Sequence, residues 1–182
     1  MIIAGSLAAG LRRGHTAAGS RSDDFGAAGD DPWRPRITSG HDAAVTALSL
    51  ADVRAVLADN FAPWVLDLGL VVEEVGDRHA ITRLPWSDRL AREGGALSGQ
   101  ALMAAADTTT VLALSAARGS YGVMTTVQQS TSFQRAVVGQ DVLLTARVER
   151  LGRSLAFVDV TMRCEGDETP RAHATTVYAL LG

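Results

Sequence analysis

The segment GGALSGQALMAAADTTTVLALSAARG, residues 94–119, constrains the fold more than any other part of the chain. Between Gly94 and Ala117 it carries one charged side chain, Asp107, among Ala, Leu, Met and Val. Moving a charge out of water costs several kcal/mol unless the charge is paired or neutralised. Three threonines, two serines and a glutamine make the segment too polar for a lipid-facing helix, so the rest of the protein must bury it. Asp107 therefore needs either a partner or a function.

Length, charge and cysteine usage exclude several classes of protein. With 182 residues, the chain is long enough for one domain with a hydrophobic core and short for two. Its net charge of −3 offers no basic excess, so we expect neither nucleic acid nor a membrane surface as a partner. One cysteine, Cys164, excludes an internal disulfide, and the four histidines have no spacing typical of a zinc site. We therefore expect a cytoplasmic protein without a metal or cofactor.

The first 42 residues differ in composition from the rest of the chain. They are rich in Gly, Ser, Asp, Arg and Ala and show neither a helical nor a strand period. The short apolar run at the start has no basic residues before it, which argues against a signal peptide. We predict a disordered extension over residues 1–42 and a single folded domain over residues 43–182.

The folded domain alternates between helical and strand patterns. Apolar residues at helical spacing predict a helix that ends near Asn60 and Pro63, and the Gly94–Ala117 run predicts a long buried helix. Strand patterns occupy residues 64–76, 78–86, 121–133, 140–152, 154–166 and 171–181, the last four of which we expect to form a meander. A helix that is apolar nearly all round needs cover on most sides. We therefore predict an α+β fold in which a six-stranded antiparallel sheet wraps around one long central helix.

Residues 61–181 resemble the hotdog-fold acyl-CoA thioesterases of the PaaI-like group. The resemblance rests on the segments FAPWVLDLGLVVEEV, LSGQALMAAADTT and VGQDVLLTARVERLGRSLAFVDVTM, and on a Leu-Pro-Trp that closes the second strand. It implies a hotdog fold, hydrolysis of an acyl-CoA thioester and assembly into dimers or tetramers. The helix motif is moderately specific, because it joins a glycine at the helix start to an aspartate eight residues later.

The resemblance also implies roles for residues at the start of the long helix. The family's usual His-Gly-Gly is replaced by Ser98, Gly99 and Gln100, so the histidine and one glycine are missing. Where the residues match, Gly99 is expected to supply a backbone donor to the thioester carbonyl, and Asp107 to act as general base or nucleophile. Ser98 and Gln100 are candidate substrate contacts, although serine is also a good N-cap that would hold the helix end.

Physical chemistry supports these two roles without the resemblance. Unpaired N–H groups at a helix N-terminus stabilise the negative charge that develops on a carbonyl oxygen during hydrolysis. A carboxylate in apolar surroundings is a stronger base than an exposed one, which suits Asp107. The alternative is that Asp107 is structural and bonded to threonines or backbone, because Asp-Thr-Thr-Thr is a poor helix interior.

Four further residues are candidate substrate contacts. Thr125 and Thr126 lie in a polar run on strand 121–133 and could line a ligand pocket, although a solvated edge strand explains them as well. Arg135 and Arg153 could hold the phosphates of coenzyme A, although surface arginines are common. The carrier remains open between coenzyme A and acyl carrier protein.

Two other functions agree with the same residues. The first is a non-catalytic acyl-CoA binding protein, in which the missing His and Gly mark a degraded active site. The second is an enoyl-CoA hydratase, which is disfavoured because no histidine lies between His79 and His173.

The spacing of the two central residues predicts the oligomeric state. Gly99 and Asp107 are eight positions apart, which places them about 12 Å apart along one helix and about 80° apart around its axis. One thioester carbon cannot be reached by both groups. We therefore predict an obligate homodimer, or a tetramer of such dimers, in which Gly99 of one chain faces Asp107 of the other.

Overall fold

A computed structural model describes residues 47–181 and confirms the predicted α+β fold, a six-stranded antiparallel sheet around one long helix. The predicted extension, residues 1–42, lies outside the described residues. Three helices and six strands follow one another as α1 (Leu50–Asn60), α2 (Pro63–Leu66), β1 (Val71–Gly76), β2 (His79–Leu84), α3 (Gly99–Arg118), β3 (Met124–Phe133), β4 (Val142–Leu151), β5 (Leu155–Cys164) and β6 (Ala172–Leu180).

The order of the strands corrects one prediction. The sheet runs β1-β2-β4-β5-β6-β3, with every neighbouring pair antiparallel, so the last four strands do not form a simple meander. Strand β3 follows α3 to the far edge and pairs with β6, and β4 returns across the sheet to pair with β2. Strand patterns in the sequence locate each strand but do not determine its neighbours. As a consequence, β1 and β3 are the two edges of the sheet.

The first predicted strand, residues 64–76, is also partly wrong. Pro63 occupies the first turn of a short helix, α2, where its fixed φ favours helical backbone. Gly69 then turns the chain with a φ of 69°, a conformation that glycine adopts without steric cost. The strand begins only at Val71, so its pattern is six residues long.

Helix α3 lies in the concave face of the sheet and forms the centre of the core. Ser98 caps its start, and Gly119, with a φ of 68°, ends it. Two of the three consecutive threonines, Thr109 and Thr110, are buried with satisfied hydroxyls, which donate to the carbonyls one turn earlier at 2.7 and 2.9 Å. Thr109 also contacts the Thr82 hydroxyl of β2 at 2.7 Å. These bonds explain how a polar run fits inside an apolar helix.

Candidate active site

Asp107 lies in the middle of α3, where the helix faces the edge strand β3. Its side chain is half-buried, and the preceding turn on the same side carries Met103, which is 40% exposed. The hydroxyl of Thr126 in β3 donates to Asp107 Oδ1 at 2.9 Å, and the hydroxyl of Tyr178 in β6 donates to the same oxygen. No group in residues 47–181 donates to Oδ2. The carboxylate is therefore fixed through one oxygen and open at the other.

The start of α3 offers unpaired backbone donors. The Ser98 hydroxyl accepts a hydrogen bond from the Ala101 N–H at 3.2 Å, as an N-cap does. The N–H groups of Gly99 and Gln100 find no acceptor in the described part of the chain. These two N–H groups and the helix dipole make the helix start favourable for negative charge. A Cβ on Gly99 would lie 3.1 Å from Cζ of Phe133, so the ring lies directly against this glycine.

The loop before α3 fixes the position of that helix start. Gly94 and Gly95 have φ values of 85° and 76°, which explains why the sequence has two glycines there. The indole N–H of Trp86 donates to the Gly95 carbonyl at 3.1 Å, and the Ser98 N–H donates to the Leu90 carbonyl at 2.9 Å. These hydrogen bonds fix the loop and thereby the position of the N–H donors at the start of α3.

Two clefts flank the start of α3, and each is lined by two of the predicted residues. A cleft of about 340 Å³ lies on one side and is lined by Gly99, Phe133 and Arg135, together with Arg92. A cleft of about 300 Å³ lies on the other side, and its lining includes Ser98, Gln100, Trp64 and Arg89. The structure thus brings Arg135 to Gly99, and it places Ser98 and Gln100 together in a separate cleft.

Thr125 and Arg153 lie apart from those clefts. In the β3–β6 pair, Thr126 lies opposite Tyr178 and Thr125 opposite Ala179, and consecutive strand residues point to opposite faces. Thr125 therefore belongs to the outer face of the sheet, whereas Thr126 reaches Asp107. Arg153 is exposed in the β4–β5 turn, at the end of the sheet nearest Asp107, where the Leu180 N–H donates to the neighbouring Ser154 carbonyl.

The predicted residues consequently fall into two groups within one chain. Gly99, Ser98, Gln100 and Arg135 surround the helix start. Asp107 lies about 12 Å further along α3, as the helical rise requires, with Thr126 beside it.

Comparison with known proteins identifies the family of this chain. A family model described as "Thioesterase superfamily" matches residues 94–171. The structure of a conserved protein from Pseudomonas aeruginosa is 30% identical with a TM-score of 0.62, and the match covers 66% of this chain and 95% of that one. The chain belongs to the thioesterase superfamily.

Two further solved structures extend this comparison. A candidate thioesterase from Silicibacter sp. TM1040 is 29% identical with a TM-score of 0.67, and the match covers 74% of this chain and 93% of that one. The PaaI protein of the phenylacetic acid degradation operon of Escherichia coli is 16% identical with a TM-score of 0.64, and the match covers 73% and 94%. This last likeness concerns the fold, and it confirms the hotdog architecture. No curated protein matches the chain significantly.

Sequence reasoning missed two residues of this candidate site. Tyr178 is 1% exposed, and burial, followed by the nearby charge of Asp107, raises its pKa well above the usual value. The signal was a tyrosine on the inward side of a strand, since a buried tyrosine hydroxyl usually needs a partner. Phe133 lies beside Gly99 only because of the β3–β6 pairing, which no local pattern in the sequence reveals.

Residues 47–181 contain neither a cluster of metal ligands nor a membrane-spanning helix. Among residues 47–181, no three His, Cys, Asp or Glu side chains lie close enough together to hold a metal ion. No helix within the same residues is both long and apolar enough to cross a membrane.

Proposed function

We propose that this protein is a thioesterase that hydrolyses an acyl-CoA or an acyl carrier protein thioester to the free acid and a thiol. The proposal rests on one observation, the hydrogen bonding of the Asp107 carboxylate. It is the lone charged side chain in the interior of α3, it is fixed at Oδ1 by two hydroxyls, and its Oδ2 has no donor among the described residues. The oxygen without a protein donor is free to accept a proton, as a general base requires.

In the proposed reaction, Oδ2 of Asp107 takes a proton from water while the water oxygen attacks the thioester carbon. The carbonyl oxygen becomes negative and is stabilised by the N–H groups of Gly99 and Gln100. When the tetrahedral intermediate collapses, the carbon–sulfur bond breaks, the sulfur leaves with the bonding electrons, and the proton held by Asp107 passes to it. If Asp107 acts instead as a nucleophile, the same N–H groups stabilise the same charge.

Within one chain, the N–H groups at the start of α3 and the Asp107 carboxylate lie too far apart to act on one thioester. The proposed site therefore contains parts of two chains. Strand β3 is an edge strand ten residues long, and it exposes Val127 by 59% and Phe133 by 51%. A long, exposed edge strand with free backbone groups favours pairing with another strand. A homodimer joined along β3 would cover Met103 and bring Asp107 toward Gly99 of the partner. The site therefore supports a homodimer, or a tetramer built from such dimers.

The arginines near Gly99 and Asp107 suit a substrate whose carrier bears phosphate groups. Arg135 shares a cleft with Gly99, and Arg153 lies at the Asp107 end of the sheet. In an antiparallel dimer, Arg153 of one chain would approach the same site as Arg135 of the other. Arginine binds phosphate groups by paired hydrogen bonds, which both coenzyme A and the phosphopantetheine arm of a carrier protein provide.

One observation favours the second candidate, a non-catalytic acyl-CoA binding protein. Ser98 stands where the family pattern has histidine, and its hydroxyl is engaged in capping α3 rather than free to contact substrate. An enoyl-CoA hydratase fits less well, because neither histidine in residues 47–181 lies near Asp107. His79 contacts Glu74 at 2.9 Å, and His173 lies 3.7 Å from Asp159 on the outer face.

A screen of acyl-CoA thioesters that measures released thiol tests the proposal. We expect the parental protein to release thiol and Asp107→Asn to lower kcat by about 10²–10⁴, because asparagine keeps the shape and loses the base. Asp77→Asn, which changes an exposed carboxylate in the β1–β2 turn, is the matched control and should retain the parental rate. Binding of acyl-CoA without turnover by the parental protein would favour the binding-protein alternative.

A further inference from the structure

Tyr178 is the largest of the fully buried side chains in the core, yet its hydroxyl is directed at the one carboxylate of α3. The ring comes from β6 and extends beneath the helix. Its hydroxyl donates to Asp107 Oδ1 and also lies 3.2 Å from the Asp107 carbonyl oxygen. A phenylalanine would fill nearly the same volume without a polar atom. The hydroxyl therefore has a use beyond packing.

The second donor to the same oxygen comes from the neighbouring strand. Thr126 and Tyr178 lie directly opposite each other in the β3–β6 pair, on the inner face of the sheet. Both hydroxyls converge on Oδ1, and Thr126 does so at 2.9 Å. Two donors from two strands define the orientation of the carboxylate plane, which one donor would leave free to rotate. Oδ2, which accepts no hydrogen bond from residues 47–181, is then the oxygen left free to act.

We infer that Tyr178, together with Thr126, positions Asp107 by holding Oδ1 so that Oδ2 faces the reacting water. This inference rests on the proposed function. Tyr178 is a positioning residue and does not touch the substrate. A base must lie within hydrogen-bond reach of the proton it takes, and a displacement of about 1 Å is enough to lower the rate by about 10²-fold. Because burial and the charge of Asp107 raise the pKa of Tyr178, its hydroxyl remains a donor at neutral and alkaline pH.

Tyr178→Phe removes the hydroxyl and keeps the ring. We expect kcat to fall by about 10–100-fold while KM changes less than about twofold, because orientation is lost and binding is not. Tyr121→Phe is the matched control, since Tyr121 is 43% exposed and outside the site, and it should leave both constants unchanged. If the hydroxyl only stabilised the fold, Tyr178→Phe would lower the melting temperature and leave kcat unchanged.

A double-mutant comparison identifies the group through which Tyr178 acts. In an Asp107→Asn background, Tyr178→Phe should cause no further loss of kcat, because the carboxylate that it positions is already gone. Thr126→Val should likewise lower kcat in the parental protein and add nothing to Asp107→Asn. This variant changes an exposed strand, so it carries the test if Tyr178→Phe does not fold.

The outcomes separate this inference from the proposed function. Parental kcat in Tyr178→Phe, or the same fold loss with and without the Asp107 carboxylate, overturns the positioning role while the proposed hydrolysis stands. Parental kcat in Asp107→Asn overturns the proposed base and the positioning role together.

Discussion

The hydrogen bonding of Asp107 is the residue-level feature on which the proposed function depends most. The sequence isolates it as one charge in an apolar helix, which predicts either a partner or a function. The structure supplies partners, Thr126 and Tyr178, but both bind the same oxygen. The alternative of a carboxylate bonded to threonine is therefore partly correct, since Thr126 does bond to it. The oxygen without a donor is what favours catalysis over a purely structural role.

Gly99 is the second residue on which the proposal depends. A methyl group on Gly99 would lie 3.1 Å from the Phe133 ring, and this ring is half exposed and free to yield by a few tenths of an ångström. We expect Gly99→Ala to keep the melting temperature within a few degrees, because alanine favours helix over glycine by about 1 kcal/mol. We expect kcat/KM to fall by about tenfold, since the methyl group occupies the approach to the N–H donors.

Thermal denaturation and steady-state kinetics on the same preparation measure both effects. A Gly99→Ala protein with parental kcat/KM would show that substrate does not approach this backbone. A large fall in melting temperature would instead show that the close contact with Phe133 cannot relax.

At the scale of elements, α3 was predictable and its neighbours were less so. Its apolar run, the capping Ser98 and the terminal Gly119 define the helix within the sequence itself. The position of β3 in the sheet could not be predicted in this way. Its polar, mostly exposed residues predict a strand but do not indicate which strand it pairs with. The pairing with β6 is what brings Thr126 to Asp107 and Phe133 to Gly99. Local patterns therefore identified the helix residues of the site and missed Tyr178 and Phe133.

The free edge of β3 makes a prediction about assembly. Val127 is 59% exposed next to Thr126, so Val127→Lys would place two like charges close together in a dimer joined along β3. We expect sedimentation to shift toward monomer and thioester hydrolysis to fall with it. Val71→Lys is the matched control, because Val71 is 45% exposed on β1, the opposite edge. Equal effects of the two lysines would argue against assembly through β3.

At the scale of the whole molecule, the domain boundary stays a prediction. Residues 1–42 contain too few apolar residues with any period to offset the entropy of ordering them. We expect a protein lacking residues 1–42 to fold and to retain the parental melting temperature within a few degrees, as measured by thermal denaturation. A large fall would show that this segment contributes to the stability of the hotdog domain.

The central claim is that one active site takes Gly99 from one subunit and Asp107 from the other. The direct test mixes two inactive variants, Gly99→Val, whose branched side chain meets the Phe133 ring, and Asp107→Asn. After subunit exchange, each heterodimer regains one intact site, so an equal mixture should recover about a quarter of the parental activity. A mixture that stays inactive although subunits have exchanged, or a fully active monomer in sedimentation at assay concentration, would contradict the claim.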